Sequence, residues 1–329
     1  MLSNIYSSVM KFRNFVYDKD YLSKHKVHRP VISIGNITVG GTGKTPITDH
    51  FILWAAKKNI KVGVVSRGYG GSYTGVQRIP ENADPQIYGD EPTMLSSRNP
   101  NIPIYVCGNR VIAAQEMIRT EEIDLVLADD AFQHRRLIRD IDIVVIDLLE
   151  NLENYKVIPQ GRAREPLQGL KRADYFILNK ANFVSDQQIE QVKQFIEEQL
   201  NNSPDFIIGN YLFKDVINFY GNASKDNNFL LVSGIGNPKS FEKLIQSQNI
   251  KFADHITYRD HHSFSTNDIK SIEQKANENS CNGILCTEKD AIKLKGIIKN
   301  SNINWFFAKL EVELLGAERL YDKITSLCS

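Results

Sequence analysis

The sequence predicts an α/β protein built on a mostly parallel sheet, and three observations carry that expectation. Short β-branched runs are apolar throughout, as strands covered on both faces are. Helix-like stretches separate most of these runs. A glycine-rich turn, Gly40-Gly41-Thr42-Gly43-Lys44-Thr45, joins one run to the helix after it.

At 329 residues the chain suits two domains better than one. Hydrophobic residues at 42% and charged residues at 24% are the composition of a soluble globular protein. Its 40 Lys and Arg against 39 Asp and Glu leave almost no net charge. A global attraction to nucleic acid or membrane is thereby excluded, and charge effects must be local. No apolar run reaches the ~18 residues of a membrane span, and no signal peptide opens the chain, so an intracellular protein is expected. Cys107, Cys281, Cys286 and Cys328 make no CxxC pair and read as reduced thiols.

Along the chain, Leu2, Ile5, Val9, Phe12 and Val16 recur at three and four residues, which predicts an amphipathic helix over about 2–17. Lys11, Arg13, Lys19, Lys24, Lys26 and Arg29 outnumber Asp18 and Asp20 in this region. Two placements are open: in a lipid interface with bases near anionic headgroups, or packed on the protein's own core. Strands follow at Val31–Ile34, Val62–Val65, Ile104–Val106, Leu125–Ala128, Ile143–Ile146 and Tyr175–Leu178, with helices such as Ile47–Lys58 and Arg110–Thr120 between. Asp186–Leu200 reads as a polar-faced helix. A smaller alternation comes next: a strand at Phe229–Val232 running into Ser233-Gly234-Ile235-Gly236, helices near Phe241–Gln246 and Asn267–Asn277, and a strand at Gly283–Cys286. The expected division is a first domain over 1–215 and a smaller α/β domain over 216–329. Two strand-like segments, 206–213 and 304–313, are expected to pair as a tether.

The glycine turn has a specific chemistry. Gly40, Gly41 and Gly43 let successive N–H groups converge on phosphate oxygens, and the following helix points its positive end at them. The stretch Thr38, Val39, Gly40, Gly41, Thr42, Gly43, Lys44 and Thr45 is the expected nucleotide cradle. Lys44 would reach the β- and γ-phosphates, and the Thr45 hydroxyl would ligate Mg²⁺. Thr38 stands where the full pattern has glycine. The fold class is therefore a P-loop NTPase-like parallel sheet with a second, smaller α/β unit.

Asp129 and Asp130 end an apolar strand at the sheet edge where ligands gather, and an acid there serves the Mg²⁺ shell; capping of the next turn is the structural alternative. Transfer to an alcohol needs a proton acceptor, for which Asp90, Asp130 and the pair His261-His262 qualify by residue type. Arg110, Arg162 and Arg164 could clamp anions. Asp147 is read as structural. Asn179-Lys180-Ala181-Asn182 is similar to the guanine-reading Asn-Lys-x-Asp, but an amide at 182 cannot accept both guanine N–H groups, which favours ATP. The alternative kept open is a regulatory or chaperone-type P-loop NTPase acting on a protein partner.

The ordered set Gly35–Pro46, Ser66-Arg67-Gly68-Tyr69-Gly70, Gly89-Asp90-Glu91-Pro92, Gly108-Asn109-Arg110-Val111, Asp129–His134, Gly161–Leu167, Gly234–Pro238, Asp260-His261-His262 and Thr287–Ala291 resembles the tetraacyldisaccharide 4′-kinase family. The resemblance implies γ-phosphate transfer from ATP, with Mg²⁺, to the 4′-hydroxyl of an acylated glucosamine disaccharide 1-phosphate, giving lipid IVA. It implies a peripheral position on the cytoplasmic face of the bacterial inner membrane, held through residues 2–17, with no nucleic acid and no obligate protein partner. It assigns Asp90 and His261 as the acid–base pair, Asp90 taking the sugar proton with His261 assisting or orienting it, and Lys44 and Asp130 as further catalytic groups. Asp129 joins Thr45 at the metal, with Glu165 as another metal-shell acid, and Ser66, Arg110, Gln133 and Arg164 fall at substrate contacts. Ala131 stands where the family commonly has glycine, a substitution that would be strained at positive φ.

Overall fold

The structure, a computed structural model, describes residues 2–223, 228–298 and 301–329. The chain opens with α1 (Leu2–Asp18), β1 (Val31–Gly35), α2 (Lys44–Lys57), β2 (Val62–Ser66), β3 (Gln77–Arg78), α3 (Pro85–Tyr88), α4 (Asp90–Arg98), β4 (Ile104–Val106) and α5 (Arg110–Thr120). It continues through β5 (Leu125–Asp129), β6 (Ile141–Asp147), β7 (Tyr175–Asn179), α6 (Asp186–Leu200) and β8 (Asp205–Asn218). The remainder is β9 (Asn228–Ser233), α7 (Pro238–Ser247), β10 (Lys251–Thr257), α8 (Thr266–Glu278), β11 (Gly283–Thr287), α9 (Glu288–Lys295), β12 (Asn304–Leu315) and α10 (Glu318–Cys328).

Among the described residues, twelve strands join one sheet in the order β10-β9-β11-β12-β8-β7-β6-β1-β5-β2-β4-β3. Pairing is parallel except for β3 with β4 and β8 with β12. The long β8–β12 ladder runs from Asn218 opposite Phe306 to Ile208 opposite Leu315, and it carries the sheet from the first alternation of strands into the second. Strands β1, β2 and β4–β7 are buried throughout because both faces are covered: Ile34, Phe51, Leu127 and Ile143 bury one side, and Phe132, Val144 and Phe176 the other.

Strand order decides where chemistry can occur. β1 lies between β5 and β6, so the turn after β1 and the acids ending β5 emerge side by side at the carboxyl edge. Gly35 is required there, since a Cβ would stand 2.5 Å from the Phe132 Cβ. Backbone strain falls one residue away from where the family pattern places it. Asp130, not Ala131, has positive φ, at 48°, so Ala131 is accommodated, and aspartate tolerates that region. Thr38 likewise lies outside positive φ and is buried, so its departure from glycine costs nothing in backbone conformation.

Candidate active site

The turn after β1 is fixed from beneath before any ligand is considered. Asn36 donates to the Thr42 hydroxyl at 3.0 Å, and Asn179, at the end of β7, donates to the Thr42 carbonyl at 2.9 Å. Gly43 has φ +83°, and a Cβ on it would meet the Tyr211 hydroxyl at 2.2 Å. Glycine is thus demanded twice, by conformation and by space. Lys44 and Thr45 open α2 and are almost wholly buried.

Two acids face this cradle with opposite electrostatics. Asp130 lies 3.4 Å from Lys44 and 2.9 Å from Arg164, and Arg110 donates to its carbonyl at 3.1 Å. Burial works against its ionisation, yet Lys44, Arg164 and Arg110 hold it well below the usual carboxylate range. Asp129 is buried and accepts from the Thr48 and Ser66 hydroxyls, each at 3.2 Å. Burial, with Glu91 and Asp130 nearby, pushes it up to about 7. Ser66, Arg110, Gln133 and Arg164 all line one cleft of about 630 Å³, beside Lys44, Tyr69, Glu91, His134, Asp260 and His261. Burial and the surrounding arginines, Arg110 foremost, push His134 down to about 3, so it is neutral.

Asp90 and His261 come together across 171 residues of sequence, with His261 Nδ1 3.0 Å from Asp90 Oδ2. Burial would raise Asp90, but the His261 hydrogen bond with Lys293 and Lys289 nearby holds it below its ordinary value. His261 carries φ +59°, a conformation costing about 1–3 kcal/mol and concentrated at working sites. The imidazole lines the cleft, whereas the Asp90 carboxylate stands behind it. His262 is separate. It stacks on Tyr258 with ring centroids 4.4 Å apart and meets Asp268.

A second cavity, of about 180 Å³, lies on the other side of the turn. Gly41–Pro46 form one wall, and Phe183, Tyr211, Phe241, Leu244 and Leu310 form an apolar one. Gly41, Lys44, Glu91 and Asp260 border both cavities. The Gly234–Gly236 turn after β9 faces the first glycine turn, and a Cβ on Gly236 would lie 3.7 Å from the Gly41 nitrogen.

Some expected residues are placed otherwise. Glu165 does not join the acids at the cradle. It is fully buried, with Arg172 at 2.8 Å, Gln133 at 3.0 Å and Asn14 at 2.8 Å donating to its carboxylate. Asn182 spends both ends of its amide on the Tyr211 backbone, at 2.9 and 3.0 Å, and so reads no base. α1 packs by its polar face: Ser3 donates to Val157, Tyr6 to Arg164, Arg13 to Gln133 and Asn14 to Glu165. Leu2, Ile5, Val9 and Phe12 face outward, 57–73% exposed, while Tyr6, Met10 and Arg13 line the cleft. Glu91, Asp260 and Lys289 carried no sequence-level role. Their motifs were visible, but only the fold sets Glu91 and Asp260 at the junction of the cavities with Lys289 beside them. Phe183, Tyr211 and Phe241 gave no local signal at all.

The family described as tetraacyldisaccharide-1-P 4′-kinase matches residues 1–329. The chain belongs to that family. A tetraacyldisaccharide 4′-kinase of Bdellovibrio bacteriovorus is 34% identical, over 99% of this chain and 97% of its own length. One from Halothermothrix orenii is 30% identical, over 96% of this chain and 88% of that one. Among solved structures, the "apo" form LpxK from Aquifex aeolicus in complex with ATP is 26% identical, with a TM-score of 0.77, covering 100% of this chain and 98% of that one. As a member of the kinase family, the chain shares its mostly parallel α/β fold.

Proposed function

We propose that this chain transfers the γ-phosphate of ATP to the 4′-hydroxyl of a tetraacylated glucosamine disaccharide 1-phosphate, giving lipid IVA. The observation that carries this reading is the shared border of the two cavities at Gly41, Lys44, Glu91 and Asp260. A nucleotide entering from the apolar side and a sugar entering from the polar side would meet at the same glycine turn. In-line transfer needs that opposition.

In this reading the purine rests against Phe183, Tyr211 and Phe241, and the backbone from Thr38 to Thr45 cradles the phosphates. Lys44 steadies the transferring group, with Asp130 holding its ammonium and Arg164 and Arg110 supplying further positive charge. The Asp90–His261 pair accepts the hydroxyl proton, with Asp90 orienting the imidazole. Ser66 acts through Asp129, to which it donates, and Gln133 and His134 shape the sugar side. Residues 1–215 and 216–329 act as two domains facing each other across the nucleotide.

The donor set also fits Mg²⁺. Asp129 is a carboxylate whose ionisation is opposed by burial and by Glu91 and Asp130, a charge excess that a cation relieves. Among the described residues no cluster of three His, Cys, Asp or Glu side chains could hold a metal alone. That suits an ion taking one or two protein ligands and the rest from phosphate and water. Thr45 and Asp129 would hold it, and it supplies charge neutralisation on the phosphates. No described helix is long and apolar enough to cross a membrane. The outward apolar face of α1 beside the cleft supports a peripheral position on the inner membrane, on its cytoplasmic face, where ATP is found.

The test is incubation with γ-labelled ATP, Mg²⁺ and the tetraacylated disaccharide 1-phosphate. Label is expected in the glycolipid, and Lys44→Ala and Asp90→Asn should each lower kcat by about 10²–10⁴-fold. Label found only in free phosphate overturns the reading.

A further inference from the structure

We propose that Lys180 is a nucleotide-binding residue whose ammonium, anchored on Asp147, takes an oxygen at the α-phosphate end of the nucleotide. The inference rests on the nucleotide half of the kinase reading, and it gives work to a motif which that reading leaves idle.

Asn179-Lys180-Ala181-Asn182 has nearly the layout of a base-reading segment, yet its amides are spent on the protein itself. Asn179, at the end of β7, donates to the Thr42 carbonyl beneath the glycine turn at 2.9 Å. Asn182 donates to the Tyr211 carbonyl at 2.9 Å and accepts from the Tyr211 N–H at 3.0 Å. Between these anchors Lys180 holds a left-handed backbone, with φ +65°. That conformation is rare for a residue with a side chain and gathers at working sites. Asp147 ends β6 opposite Asn179 in the sheet. Its Oδ2 lies 2.6 Å from the Lys180 Nζ, and its Oδ1 accepts from the Leu149 N–H at 3.0 Å. The segment is thus clamped between the glycine turn and the Tyr211 wall, and the lysine is what it presents.

What the ammonium faces decides its role. Lys180 and Asp147 are both buried. Burial opposes the lysine charge, but Asp147 outweighs burial and holds Lys180 above the ordinary lysine value. An ammonium has three donors, and Asp147 is its one hydrogen-bond partner among the described residues. The Tyr211 ring centroid lies 6.0 Å to one side. The opening left to the other donors is the nucleotide cavity, which Lys180 lines beside Gly41–Pro46, Phe183 and Tyr211. Donors turned to an apolar wall are costly without an acceptor, so the place suits a ligand oxygen. Its position along the nucleotide follows from the borders. Lys44 lines both cavities, whereas Lys180 lines the nucleotide cavity and not the sugar cleft. It therefore serves the end remote from the transferring phosphoryl, and of the atoms there the α-phosphate oxygens carry the charge an ammonium recognises. Stability alone accounts poorly for the pair, because buried ion pairs commonly stabilise no more than apolar residues in their place.

The experiment titrates ATP and ADP by calorimetry into wild type and into the double variant Lys180→Met with Asp147→Asn. Lys180→Met alone would strand a buried carboxylate. The double variant removes both charges while the amide at 147 still accepts from the Leu149 N–H, so its urea stability should stay near that of wild type. Its affinities for ATP and for ADP should both fall by about tenfold or more, because the two nucleotides share the α-phosphate. With labelled ATP and the tetraacylated acceptor, KM for ATP should rise in step while kcat at saturating ATP stays within about threefold of wild type. Wild-type affinity in the double variant would make the pair merely structural and overturn the proposal. A loss for ATP that ADP does not share, or a fall in kcat as large as that of Lys44→Ala, overturns it as well. If the double variant does not fold, Lys180→Gln with Asp147→Asn is measured in its place. Wild type that binds both nucleotides but labels no acceptor sinks the transfer reading and leaves the Lys180 result standing. Wild type that takes up neither nucleotide ends both.

Discussion

Glu165 directly follows a family motif arginine, Arg164, and carries the right charge for a metal, yet its surroundings give it other work. Arg172, Gln133 and Asn14 already occupy its carboxylate, and Arg172 also lies over the Phe132 ring at 4.5 Å. Glu165→Gln leaves that guanidinium buried without its counter-charge, a loss of about 3–5 kcal/mol. Urea denaturation should show this loss, while the Mg²⁺ concentration giving half-maximal activity should not change. A large rise in the Mg²⁺ requirement would return Glu165 to the metal. The contrast with Lys44 shows what a sequence discloses about single residues. Lys44 is legible because its partners are the neighbouring glycines and the helix it opens. The role of Glu165 depends on Asn14, 151 residues away, and that of Glu91 on cavities assembled from both ends of the chain. An acid's charge is local information; its saturation by donors is not.

Among the elements, α1 shows the same limit in another form. Spacing of Leu2, Ile5, Val9 and Phe12 predicts the helix and its apolar stripe, but periodicity is silent on which way the stripe points. The structure answers through polar contacts. Ser3, Tyr6, Arg13 and Asn14 are bonded inward, Tyr17 is buried between the Arg13 and Arg135 guanidiniums, and the stripe faces out. A free amphipathic helix in water would bury the stripe, so its outward display suits a lipid surface better than bulk solvent. Each large apolar side chain transferred from water contributes about 1.5–3 kcal/mol. Leu2→Ser together with Phe12→Ser should therefore weaken binding to anionic vesicles by about a hundredfold or more, measured by co-sedimentation, with ATP affinity unchanged by calorimetry. Equal vesicle binding by variant and wild type would leave the stripe without that role. Deleting the helix is the poorer test, because it also removes Tyr6, Met10 and Arg13 from the cleft.

For the molecule as a whole, the alternation of strands and helices made the α/β class legible, and the two strand-like segments at 206–213 and 304–313 lie in the ladder that continues the sheet. What aligns the parts is a contact with no sequence signature. Arg98, at the end of α4, donates to Asp49 on the glycine-turn helix at 2.6 Å, to Glu288 at the start of α9 through two nitrogens, and to the Leu310 carbonyl on β12 at 2.8 Å. α4 carries Asp90 at its other end, and α9 carries Lys289 and Lys293, so one guanidinium holds both helices against the helix that follows the glycine turn. Four residues spread from 49 to 310 cannot be recognised as a unit before the fold brings them together. Burial disfavours the Arg98 charge, but Glu288 and Asp49 more than restore it. Removing one partner of such a group strands the others, so Arg98→Met should cost about 3–5 kcal/mol. Pairing it with Glu288→Met removes one of the stranded acids and should recover part of that loss. A double-variant cycle on urea stability should then give a coupling of about 1–3 kcal/mol, against about 0.5 kcal/mol or less for independent sites. Additive losses would show that α4 and α9 are held in register by packing alone.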